Sequence, residues 1–368
     1  MINKERLLNT FLDYVRISGE SRFEGAFAAR LKADLEALGL EVYEDKSQAQ
    51  TGSEAGNLYA TLPGNAPGEP LILCAHMDTV PPGNGVEPIV EDGVIRSSGN
   101  TVLGGDDKGG VAGIMEALKV ILEQGLPHPD IQIIFTVCEE IGLLGAKALE
   151  YDRLIAKRAA IFDSVDDVGK IVNRGPGHCH LRATVIGRSA HAGMAPEEGI
   201  SAVQVLCEAV SNMQLLRIDP ETTANIGSIR ADYPPNIVPE RAELFAECRS
   251  LTMEKLQAQA ESMVACLDAA CEKYGARWEG GIEPCFTAFH IPEEDAFVQQ
   301  VINSCHEIGV EPRMAKTGGG SDAHVFNLHG IQALILSTGM DNVHTVREQL
   351  TLKNLEDTAR LALALATK

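Results

Sequence analysis

The 368-residue chain predicts an α/β protein whose first domain has a mostly parallel central sheet and carries a second, inserted α+β domain. Three observations support this. In the first half, short apolar runs of strand length alternate with runs of helical spacing. Near residue 174 the pattern changes to half-exposed strands and long amphipathic helices. From about residue 287 the alternation returns. The expected boundaries are therefore 1–174 with 287–368 for the discontinuous domain and 175–286 for the insertion.

The elements follow in order. A helix is expected over about 3–15 and, after a turn at Gly19, another over about 23–38, where Phe27, Leu31, Leu35 and Leu38 share helical spacing. EVYED, NLYATL and LILCAH read as strands. A polar excursion rich in Gly and Pro (81–105) leads into the apolar helix GGVAGIMEALKVILEQG. IQIIFTVCEE is a buried strand, LLGAKALE starts a helix, and AAIFD is a short strand. The insertion offers four strands, HCHLRATVIG, ANIGSIRAD, ERAELFAECRS and RWEGGIEPCF. Its two helices are AVQVLCEAVSNMQLL and MEKLQAQAESMVACLDAACEKYG. FVQQVINSCHEIG, IQALILST and NLEDTARLALALAT complete the first domain as helix, strand and helix.

Composition excludes several function classes. A formal net charge of −21, from 52 acidic against 31 basic residues, repels nucleic-acid phosphates and anionic membranes. No apolar run approaches the roughly 20 residues of a membrane span. The opening MINKERLLNTFLDYV interleaves charges with apolar residues, as an amphipathic helix does and a signal peptide does not. Nine cysteines without a CxxC pair read as buried thiols in a reducing compartment. A cytoplasmic protein is expected.

The informative feature is the position of polar residues relative to strands. LILCAH is followed at once by Met77 and Asp78, so His76 and Asp78 are expected on one side, with the carboxylate orienting the ring. GGDDKGG sets Asp106 and Asp107 before an apolar helix. Either they cap that helix, or the glycines permit a tight approach to something else. IFTVCEE closes a buried strand with Glu139 and Glu140, which project oppositely if the chain is extended. Starting the next helix is the alternative. Asp163 follows another apolar run, and His344 follows IQALILST, near Asp341 and Glu348. Acids and histidines at four successive strand ends form a constellation at the edge where open α/β sheets collect ligands.

HMDTV, GGDDKGG, CEEIG, FDS, GRSAHAG, NIVPE, TGGGSDA and NVHTVRE occur in this order in the M20 metallopeptidases. The chain resembles that family from about residue 7 to 365 and looks most like its peptidase T (tripeptidase) branch. The resemblance implies a zinc-peptidase-like domain with two Zn2+ ions per subunit and an inserted lid domain that forms a homodimer. His76, Asp106 and Asp163 would hold one zinc. Asp106, Glu140 and His344 would hold the other, with Asp106 bridging through a cis peptide to Asp107. Glu139 would be the general base and Asp78 would orient His76. On the residues alone Glu139 and Glu140 are interchangeable. Cobalt or manganese suits the same mixture of imidazole and carboxylate. A metal pair would activate a water and polarise the scissile carbonyl of a small peptide.

The resemblance also implies that His191 in GRSAHAG, otherwise a surface residue, reaches the partner subunit's active site to stabilise the oxyanion. Asn236 and Arg249 resemble substrate-binding residues, though Arg249 also fits a strand-end salt bridge. The loop around Gly319 and Ser321 offers backbone N–H groups to an anionic end of the substrate, or Ser321 and Asp322 cap the next helix. His178, His180 and His324 are read as ordinary structural histidines. An N-acyl-amino-acid deacylase would use the same metal site. A non-catalytic binding protein is disfavoured because every ligand position and Glu139 are present.

Overall fold

The computed structural model describes Met1–Lys368 and divides the chain into two compact units, Met1–Asn173 with His290–Lys368, and Arg174–Phe289. In the first unit, four strands run parallel at the centre of a large mixed sheet. In spatial order they are Ile131–Thr136, Leu71–His76, Arg158–Val165 and Gln332–Asp341. All six residues of Leu71–His76 and of Ile131–Thr136 are buried, as expected of strands covered on both faces. Both flanks turn antiparallel. Leu58–Leu62 and Val42–Glu44 extend one side, and Gln349–Thr351, Val94–Ser97 and Pro88–Glu91 extend the other.

The last two strands lie in the stretch expected to be a polar excursion. They form a hairpin around Asp92 and Gly93, whose φ angles are 49° and 79°. Asp-Gly between alternating residues is a strong hairpin signal, one that the surrounding Gly and Pro obscured. The helices Gly105–Gln124 and Leu352–Ala366 pack on each other and on the parallel strands, with Lys4–Arg16 against the first of them. Asn3 caps Lys4–Arg16 by accepting the Arg6 N–H through its side chain at 3.1 Å.

The second unit is a five-stranded antiparallel sheet. Its order is Leu216–Arg217, Thr222–Arg230, Arg241–Ser250, Gly177–Ile186, Arg277–Phe286. Strand alternation sends Cys179, Leu181, Ala183 and Val185 to one face. There they pack against the helices Ala202–Asn212 and Met253–Tyr274. The intervening residues, His178, His180, Arg182 and Thr184, take the other face.

Candidate metal centre

The parallel strands deliver the polar residues to one place. His76 is the last residue of Leu71–His76, and its Nε2 lies 3.1 Å from Oδ1 of Asp106 and 3.9 Å from Oδ1 of Asp163. On the other side of Asp106, Oδ2 lies 3.3 Å from Nε2 of His344, which is also 3.0 Å from Oε2 of Glu140. One carboxylate thus faces two imidazoles through different oxygens. The residues fall into two sets that share Asp106: His76 with Asp163, and His344 with Glu140. His344 reaches its place from a backbone with φ of 60°, an uncommon left-handed conformation for a non-glycine residue.

Local structure decides one alternative that the sequence left open, in favour of the cis peptide the resemblance implied, and departs from expectation in three further respects. First, Asp106 and Asp107 do not cap a helix. The segment Gly105–Gln124 is non-helical at both, and a cis peptide joins them. Asp107 turns inward, where its Oδ2 accepts the His76 backbone N–H at 3.2 Å. Second, Ile131–Thr136 ends before the acid pair. Glu139 and Glu140 therefore lie in a turn after Cys138, whose φ is 54°. The turn folds back so closely that a Cβ on Gly145 would sit 2.1 Å from the Val137 carbonyl. Third, Asp78 lies beyond its strand, and its carbonyl oxygen is nearer His76 Nδ1 (2.9 Å) than its carboxylate is (3.5 Å). Fourth, the Asp78 carboxylate has other partners: it accepts the N–H groups of Glu139 (2.9 Å) and Glu140 (3.2 Å) and the Ser21 hydroxyl (2.7 Å).

Asp78 is fully buried, and it holds both the histidine and the acid turn. Asp78→Ala strips three donors of their acceptor, the Glu139 N–H fully buried and the other two partly so. The expected result is a loss of about 10–100-fold in metal affinity or kcat/KM, the usual cost of removing a residue that orients metal ligands. Metal dissociation followed with a chromophoric chelator, beside kcat/KM, checks it.

Two further buried carboxylates escaped the sequence reading. Glu348 accepts the N–H groups of Gly104 (2.8 Å) and Asp106 (2.9 Å), which fixes the backbone that carries Asp106. Glu24 accepts the Cys138 N–H at 3.0 Å, immediately before the acid turn. Only Glu348 had a signal, its closeness to His344 in sequence. Lys108, also wholly buried, donates Nζ to the Ile17 carbonyl at 2.7 Å, and burial pulls its pKa down to about 7.

Electrostatics show what the cluster lacks. Burial, aided by Asp106, pushes Asp163 up to about 8. Burial likewise drives Glu139 and Asp107 well above the carboxylate range and raises Glu140. Burial opposes the charged form of Asp106 too, but His344 and His76 hold its pKa down. Hydrogen bonds donated to the Asp106 and Glu140 carboxylates carry His344 up to about 10. Two imidazoles cannot balance this many buried acids, so the set is short of positive charge. Nitrogen and carboxylate donors arranged around a shared carboxylate fit a pair of divalent cations of the zinc, cobalt or manganese type.

The remaining predicted residues occupy other places. Ser321 is buried close to Asp163, and Gly319 donates its N–H to Thr317 Oγ1 at 3.0 Å, so that amide is used within the turn. Asp322 does not cap the following helix with its side chain. It accepts the Thr136 hydroxyl at 2.5 Å in a buried position that raises its pKa to about 6. His324 Nδ1 lies 2.9 Å from the carbonyl of Ser321 in its own turn.

In the second unit, His191 is exposed and pairs with Ile237, and Ala192 donates its N–H to the Asn236 carbonyl at 2.9 Å. The structure thereby brings His191 and Asn236 together. Nδ1 of His191 accepts the N–H groups of Gly193 and Met194, both at 3.2 Å, which places the ring proton on Nε2. Arg249 makes the alternative foreseen for it, a two-pronged salt bridge to Glu247 at 3.2 and 2.9 Å.

A parallel-centred α/β sheet with such a cluster at its strand ends defines a hydrolase-type metal centre, and comparison with known proteins assigns its family. The profile of Peptidase family M20/M25/M40 matches residues 72–368, and the chain belongs to that family. It is 40% identical over 365 residues to the protein YqjE of Bacillus subtilis (strain 168), covering 99% of this chain and 98% of that one. The crystal structure of the aminopeptidase PepT from Bacillus cereus ATCC 10987 superposes with a TM-score of 0.94 at 40% identity, covering 100% of this chain and 98% of the other. A tripeptidase structure from Staphylococcus aureus subsp. aureus mu50 gives 0.97 at 38% identity with the same coverage.

Proposed function

We propose that the protein is a two-metal tripeptidase that removes the N-terminal residue of short peptides with a free amino end. The observation that carries this reading is Asp106, whose two carboxylate oxygens face His76 at 3.1 Å and His344 at 3.3 Å. His76, Asp106 and Asp163 would hold one cation, and Asp106, Glu140 and His344 the other. Bound there, a cation pair supplies Lewis acidity to the scissile carbonyl and lowers the pKa of an attacking water. Glu139 is the acid left outside both sets. Its carboxylate receives the water's proton and returns it to the departing amine nitrogen. The backbone N–H of Glu139 is tied to Asp78, which keeps the base from drifting as charge changes.

His191, with its proton on Nε2, is suited to donate to the carbonyl oxygen as negative charge develops there. Arg249, a planar fork, suits a peptide carboxylate, with Asn236 beside His191 as a further polar contact. The solved aminopeptidase and tripeptidase that this chain matches end to end support the choice of peptide over other amides. A homodimer formed through the second unit completes the reading. It is supported by the stretch of Thr222–Arg230 that extends beyond the two-residue edge strand Leu216–Arg217, and by its exposed Ile229. No helix is long and apolar enough to cross a membrane, and the cytoplasm is the proposed location.

The test is hydrolysis by zinc-loaded protein of dipeptides, tripeptides, N-blocked tripeptides and N-acetyl-amino acids, with a chelated control. Chelator-sensitive cleavage of unblocked tripeptides is expected. Preference for N-acetyl-amino acids would make the protein a deacylase built on the same centre.

A further inference from the structure

Within the Arg174–Phe289 unit lies a second group of metal-type donors that the peptidase reading leaves unused. We propose that His178, His180 and Cys285 form an additional site for one borderline-soft divalent cation of the zinc class. His178 and His180 stand two residues apart on Gly177–Ile186, on the sheet face turned away from the helices, with ring centroids 4.7 Å apart. On the neighbouring strand Arg277–Phe286 the register places Glu283 opposite His180 and Pro284 opposite Cys179. It then slips, so that Phe286 and not Cys285 faces His178.

Cys285 is thus the extra residue of a β-bulge, the device by which a sheet re-aims a side chain. Its Sγ lies 3.4 Å from Nδ1 of His180. The three donor atoms all lie within 4.8 Å of one another. Zinc–nitrogen and zinc–sulfur bond lengths imply ligand-to-ligand edges of about 3.3–3.8 Å in a tetrahedral site. The thiol–imidazole distance is therefore already an edge length, and the other gaps need closing by only about 1 Å.

A fourth donor is at hand. Glu247 pairs with His180 across the sheet, and its Oε2 lies 2.9 Å from Nε2 of His178. One thiolate, two imidazoles and a carboxylate from three adjacent strands are all donor types that zinc accepts, and four of them match its tetrahedral coordination. The two histidines looked like ordinary alternation in a strand. The sequence does not show the bulge that brings a cysteine to them more than a hundred residues later.

The two kinds of site differ in donor chemistry, and that makes the test selective. The set around Asp106 contains no sulfur, so cobalt bound there cannot give a thiolate charge-transfer band. We expect the full-length protein, titrated with Co2+, to develop such a band in the near ultraviolet. It should bind one equivalent beyond the catalytic pair. Cys285→Ser, which changes one atom, and His180→Gln are each expected to remove the band and that equivalent while sparing the remaining cobalt. Absence of the band at saturating Co2+, or its persistence in Cys285→Ser, overturns the proposal whatever the enzyme's activity.

Discussion

Glu139→Gln is expected to lower kcat by about 10²–10⁴-fold, the usual contribution of a positioned general base, while bound metal stays unchanged. The reason lies in how the acid turn is held. Asp78 grips Glu139 through its backbone N–H, so a glutamine fits the same turn. The contacts that join His76, Asp106, Asp163, Glu140 and His344 do not run through Glu139. The substitution removes the proton acceptor and little else. Steady-state kinetics with metal analysis on the same preparation decides the matter. Near-normal turnover would take the base role from Glu139. Lost metal with lost turnover would make it a ligand and hand the base role to Glu140.

Asp106→Asn is expected to abolish measurable activity and to lower metal content from two ions per chain to one or fewer. An amide retains one oxygen acceptor but must turn an NH2 group toward either His76 or His344, where a cation needs an electron pair. It also removes the negative charge common to both sets, which His344 and His76 hold in the ionised form. Metal analysis after gel filtration, with circular dichroism to confirm folding, provides the check. Retention of both ions would mean that the two sets bind independently and that Asp106 bridges nothing.

Much of this centre could be read from the chain because strand ends are legible. His76, Asp163 and His344 each follow an apolar run, and the sheet brings such ends together. What could not be read was the support beneath. Glu24, Glu348 and the Asp78 carboxylate act by accepting backbone N–H groups, and no residue pattern reports where another segment's amides will lie. The acid pair after Cys138 is neither extended nor the start of a helix, the two alternatives the sequence offered, because the turn depends on a positive φ and on a glycine seven residues later. The hairpin at Asp92–Gly93 had a clear signal that the surrounding Gly and Pro obscured.

The discontinuity of the first unit has a consequence for how the protein is made. Gln332–Asp341 pairs in parallel with Arg158–Val165, yet the whole of Arg174–Phe289 leaves the ribosome between them. Arg158–Val165 therefore waits with one edge unpaired while an entire second unit is synthesised, and such edges invite pairing with other chains. His344 emerges later still. The set that needs His344 consequently cannot assemble on the nascent chain until the whole of the second unit has been made.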